Sequence, residues 1–253
     1  NEVPTYTQND VNELSRLFTG WDLKDNPTYG KSGFNRGDYT QPLEFTEMYH
    51  DREEKIFLDA NIESGLSGEN DIKRAIEILM QNKNIAPYIS KHLIMRLVKS
   101  NPSPNYISRV ASIFKSTGGD LKVVVKAILL DEELWNDLEN KTVIKFKEPL
   151  IAYTSFLRAF HVTPLPSIYF CPSGKIDTNT YNCEKIENKF WFTNTEDFLN
   201  QGAGDAPTVF NFYDNAYIPN DDNFKSLGIV APEIQIQSDA ILINFSNAIN
   251  IMA

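Results

Sequence analysis

The sequence predicts a mainly α-helical fold, an irregular helical domain with a small β-hairpin and a long irregular segment packed over it. Three observations carry this. Apolar residues recur at helical spacing through 70–130 and again at 148–160 and beyond 232. Side-chain caps and Gly or Pro stops punctuate those stretches. Between 162 and 230 the periodicity disappears into Pro, Asn, Asp and aromatic residues. The chain has 253 residues and is 42% hydrophobic, enough to bury a core without metal or disulfide staples. We read it as one domain over 1–253, a piece of a longer protein, with 162–200 as a local insertion.

The elements follow in order. Thr7 and Asp10 form a capping box, and Val11, Leu14, Leu17 and Phe18 give the first helix an apolar face that Gly20 ends. Residues 22–40, rich in Gly, Asn, Asp and Lys, read as a surface loop. Leu43 and Phe45 before a turn, with Ile56 and Leu58 after it, suggest the hairpin. Ile72, Ala75, Ile76, Leu79 and Met80 mark a helix capped by Asn70. Asn84 caps the next, with Ile85, Tyr88, Ile89, His92, Leu93 and Arg96 on one face. Ser103 followed by Pro104 is an N-cap with Pro at the first helical position. That helix carries Tyr106, Val110 and Phe114, and Gly118 and Gly119 stop it. Asp120 caps a helix with Leu121, Val124 and Ile128. Glu148 and Pro149 open another, carrying Leu150, Tyr153 and Leu157. One short helix is expected near 196–201, and a last one runs from about Pro232 past Asn247.

Composition excludes several functions. Lys and Arg number 24 against 34 Asp and Glu, a net charge of −10. Nucleic-acid binding, which needs a basic excess, is not expected. No apolar run approaches the length of a membrane span. Cys171 and Cys183 sit in a polar segment. A disulfide there would contribute about 3 kcal/mol in the chain-entropy model and imply an oxidising compartment. Two reduced thiols are the alternative. The Cys and His spacing matches no zinc site, and 214–222 lacks a calcium-loop pattern. Neither a phosphate loop nor a G-x-S-x-G elbow is present, so no metal and no cofactor is expected.

Candidate chemistry gathers at a few residues. His50 beside Asp51 has the make-up of a general base and its orienter, with Lys55 a cation across the turn. In extended chain, however, neighbours point to opposite faces, which favours a hydrogen-bonded turn. His92 lies on an apolar helical stripe and reads as a core histidine. His161 sits where it can interact with a helix C-terminus. Arg96, Arg109 and Arg158 lie on apolar helical faces. They call for carboxylate partners among Glu13, Asp120, Glu148 and Glu233, as a structural network or as an anion-recognition site. Val209, Phe210, Asn211, Phe212 and Tyr213 could line a sugar-stacking groove or anchor an irregular segment.

The run Leu93 to Ala111, with Leu97-Val98-Lys99-Ser100-Asn101-Pro102 at its centre, resembles the bacterial family called domain of unknown function 1800. The likeness continues in order through Tyr6 to Val11, Phe18-Thr19-Gly20-Trp21, His50-Asp51 with Lys55, and Gly119-Asp120-Leu121. It extends through Ala127 to Asp131, Glu148-Pro149-Leu150, Pro207 to Tyr213, and Ala231-Pro232-Glu233. The segment 162–200 departs from it. The resemblance implies a periplasmic or extracellular location. It also implies a longer protein of which this chain is the C-terminal part, and genes that often neighbour a sulfatase- or phosphatase-like family. The expectation is a scaffold or binding partner of such a protein. The second is a hydrolase on an anionic or carbohydrate substrate. There His50, Asp51 and Glu148 would be catalytic, and Lys55, Arg109, Arg158, Asn211 and Glu233 would bind ligand.

Overall fold

The computed structural model describes residues 5–24, 40–142, 144–161, 167–170, 184–187, 195, 199–202, 204, 206–209 and 211–252. It divides into two compact units, Asn1–Ile89 and Ser90–Ala253. The fold is mainly α, and among the described residues the strands form only two-stranded antiparallel pairs.

In the first unit, α1 (Gln8–Leu17) begins at the expected capping box. The Asp10 N–H donates to Thr7 Oγ1 at 3.3 Å, and the Thr7 N–H donates to Asp10 Oδ2 at 2.6 Å. Two short pairs follow. Strand β1 (Trp21–Asp22) lies against β2 (Glu44–Phe45), and β3 (Lys55–Phe57) against β4 (Ala60–Ile62). The expected hairpin pairing of Leu43 and Phe45 with Ile56 and Leu58 is therefore corrected. Leu58 and Asp59 are themselves the turn, both at positive φ of 49° and 62°. Such a two-residue turn matches strand twist, but it lacks the Asn or Gly that would announce it. The exposed N–H groups of β3 are met by α1: Ile56 N–H donates to Glu13 and Leu58 N–H to Asp10, at 3.2 and 2.9 Å.

Helix α2 (Gly68–Gln81) is capped by Ser67, not Asn70; Ser67 Oγ accepts from the Asn70 N–H. Its buried face is Gly68, Asp71, Ala75 and Ile78. Leu17, Phe57, Ile62, Ala75 and Ile78 make the core of this unit. Ile76, Leu79 and Met80, expected inside, are exposed. The helix is rotated from its apolar stripe to bring Asp71 inward.

Helix α3 (Ile85–Leu97) runs from the first unit into the second. The second unit continues with α4 (Pro104–Ser116), α5 (Leu121–Leu129), α6 (Glu132–Glu139) and α7 (Pro149–Ala159). Ser103, Asp120 and Asp131 cap α4, α5 and α6 through side-chain oxygens. Tyr106, Val110, Phe114, Val124 and Ile128 are buried. The Tyr106 hydroxyl donates to the Ile128 carbonyl at 2.6 Å. Its burial, with Asp131 and Glu133 nearby, raises its pKa.

Within the irregular stretch, the described residues include regular elements beyond the one helix expected. Strand β5 (Ser167–Phe170) pairs with β6 (Glu184–Glu187), and α8 spans Asp222–Leu227. The cysteines at 171 and 183 and most of the helix expected near 196–201 lie outside the described residues. The C-terminal element is split: a 3₁₀ turn (Pro232–Ile236) precedes α9 (Asp239–Met252). Among the described residues no helix is long and apolar enough to cross a membrane.

Candidate functional site

In the first unit the structure gathers His50, Lys55 and Asp71 in the interior, with side chains 0–1% exposed. Gly20 permits the approach. It has a φ of 83°, and an added Cβ would stand 2.8 Å from the Thr46 carbonyl oxygen and 3.3 Å from His50 Cβ. His50 Nδ1 donates to the Thr19 carbonyl at 2.9 Å. Its Nε2 then faces Asp71 Oδ2 at 3.2 Å but makes no hydrogen bond. The ring stands edge-on to Phe45, with centroids 5.2 Å apart. Lys55 Nζ donates to the Asp51 and Glu53 carbonyls at 2.5 and 3.0 Å and pairs with Asp71 Oδ2 at 2.7 Å. An ammonium with three oxygens around it is a neutralised internal charge. Nothing in the cluster reaches solvent.

Asp51 points elsewhere. Arg16 grips it with two N–H groups, at 2.7 and 3.2 Å, and holds Glu13 at 2.8 Å. The Arg16 hydrogen bond lowers the Asp51 pKa to about 2 despite burial. Asp51 is an anchor for α1, as the alternating geometry of extended chain requires.

Among its described residues the second unit holds four further clusters. Arg109 grips Asp131 at 2.8 and 2.6 Å, a partner absent from the expected set. Lys99 bridges Glu133 and Asp137 at 2.8 and 2.5 Å. Burial alone would lower the Lys99 pKa, but these carboxylates raise it overall. Glu148 accepts from Arg96 and the Tyr213 hydroxyl, each at 2.7 Å, and from Gln201 Nε2 at 2.5 Å. Burial pushes its pKa up, but these donors outweigh it and the net shift is downward. Arg96 also stacks over the Tyr213 ring, 5.0 Å from its centre. Glu233 is 1% exposed and pairs with Lys145, which donates to the Met95 carbonyl at 2.9 Å. Arg158 is exposed on α7, with no ion pair among the described residues. His161 is exposed at the end of α7, with a φ of 51°.

Clefts open at the surface, among them one in each unit lined by described residues. One, in the second unit, has a volume of about 690 Å³ and includes His92, Met95, Asn211, Phe212 and Tyr213 in its lining. The other, in the first unit, has about 400 Å³ and is mostly apolar, with Tyr6, Val11, Leu14, Leu58 and Leu79. Of the expected site residues that are described, only Asn211 lines either cleft; the rest sit beside a charged partner or, like Arg158, apart. Sequence reasoning missed Asp71, Arg16, Asp131, Lys145 and Gln201. For Asp71 a signal existed: it shares a helical face with Ala75 and Ile78.

These features define a helical protein whose charged motifs tie its elements together beside two surface clefts. The chain belongs to the family described as Protein of unknown function (DUF1800), whose profile matches residues 2–250. No curated protein and no solved structure matches it.

Proposed function

We propose that the protein is a non-catalytic scaffold of the cell envelope or a secreted one, binding a sulfatase- or phosphatase-like partner. One observation carries the reading: the candidate acids and bases, and the candidate cations other than Arg158, are committed to partners within the fold. A general acid works with a pKa raised toward the working pH. Glu148 has the opposite, a lowered pKa, and three donors satisfy it. His50 has no opening to a substrate. The exposed apolar residues around α1 and α2, Tyr6, Val11, Ile76 and Leu79 among them, supply area that a protein partner would bury. The location rests on the family resemblance and on the cysteine pair.

The test mixes the purified chain with the sulfatase- or phosphatase-like protein of the same organism and follows mass by light scattering. A complex is expected, weakened by Val11→Asp and Leu79→Asp. Aryl sulfates, aryl phosphates and aryl glycosides should show no turnover above buffer. Turnover that Glu148→Gln abolishes would establish the hydrolase reading instead. Absence of any complex removes the scaffold reading.

A further inference from the structure

The 690 Å³ cleft lies within the range of small-molecule sites. It lies wholly in the second unit, and the partner reading makes no use of it. Its lining mixes apolar and polar side chains. Met95, Pro207, Phe212 and Val230 are its apolar lining, with Phe212 half-buried. Thr208, Asn211, Asn215 and Gln235 bring a hydroxyl and three amides. A planar amide offers a donor and an acceptor side by side, which matches a pair of vicinal hydroxyls. A phenyl face suits the C–H face of a pyranose ring, which is apolar for the same reason that a hydrocarbon is. The formal charges in the lining are one cation, Lys91, and one anion, Asp214. They cancel, so the cleft has no net charge to select an ionic ligand.

The backbone is shaped to hold these groups. Asn211 has a φ of 87°, a conformation that residues with a side chain rarely adopt and that persists where surroundings enforce it. Thr208 enforces it here. The Asn211 N–H donates to the Thr208 carbonyl, and Thr208 Oγ1 donates to the Asn211 carbonyl, both at 3.1 Å. Other parts of the wall are equally tied. Asn101 clasps the Val230 backbone at both N–H and C=O, at 2.9 and 2.8 Å. The Asp214 N–H donates to Gln235 Oε1 at 2.7 Å, and the Tyr213 hydroxyl is fixed by Glu148. Walls ordered before binding reduce its entropic cost.

The geometry points to a binding site for a neutral oligosaccharide, one pyranose ring lying on Phe212 with its hydroxyls shared among Asn211, Asn215 and Gln235. Isothermal titration with cellohexaose, laminarihexaose and chitohexaose tests it, with oligogalacturonate and inorganic phosphate as charged probes. At least one neutral oligomer should bind with a Kd of about a millimolar or tighter, insensitive to salt. Phe212→Ala and Asn215→Ala should each weaken it about tenfold with the helical circular dichroism unchanged. Asn211→Gly separates ligand contact from fold, because glycine keeps the turn and deletes only the amide; it too should weaken binding. The proposal is overturned if no neutral oligomer binds, if only the charged probes bind, or if binding ignores all three substitutions. None of these outcomes bears on complex formation with a protein partner, which is read separately.

Discussion

Lys55 and Asp71 set the strongest expectation for a single residue. Removing one member of a buried pair leaves the other charge uncompensated, at a cost of about 3–5 kcal/mol. Lys55→Ala and Asp71→Ala should each lose that much in urea unfolding. The double change Lys55→Met with Asp71→Leu should recover most of it, because neither buried charge then remains. Asp51 predicts a pH dependence. Its pKa is about 2 in the folded chain, below the 3.8 of an ordinary aspartate. The group binds fewer protons when folded, so its contribution is complete above about pH 4 and is lost as pH falls toward 2. Acid titration of the unfolding free energy should show this limb, flattened in Arg16→Met. Glu148, also lowered, adds to the loss with the same sign.

One turn and one helix start carry the predictions for elements. Asp59 occupies a left-handed position, with a φ of 62°. Asp59→Gly removes a steric cost of about 1 kcal/mol and should raise the melting temperature. At Gly68, an added Cβ would lie 2.2 Å from the Phe45 ring. Gly68→Ala should expel that ring, which packs on His50, and should be detected as a loss of stability with altered aromatic circular dichroism. Helix starts were the most legible feature. Thr7, Ser103 and Asp120 are caps because each places an oxygen beside orphan N–H groups, a purely local interaction. The rotation of α2 was not legible. An apolar stripe of Ile72, Ile76 and Leu79 competes with one of Ala75 and Ile78, and only the position of Lys55 and His50 decides between them. The turn at Leu58-Asp59 was hidden for a related reason: the strands impose a backbone that its residues do not prefer.

For the whole molecule, a net charge of −10 predicts no shift of a DNA duplex in a gel at physiological salt. Family membership and the mainly α class were legible because they rest on many independent local signals along the chain. The candidate site was legible in part. Residue types were identified, since Arg on an apolar helical face calls for a carboxylate, but their pairings were not. Arg109 meets Asp131 and Glu233 meets Lys145, across separations that no local rule connects. By itself the sequence determined the caps of α1, α4 and α5, most helix positions, the net charge and the family, all set by interactions within a turn or two of chain or by composition. Tertiary structure alone decided that His50 is enclosed, that Asp71 is internal, and that Asn211 and Phe212 line a cleft. Enclosure and charge pairing depend on which segments meet in space, and that is fixed by burial of the whole core rather than by neighbours in the chain.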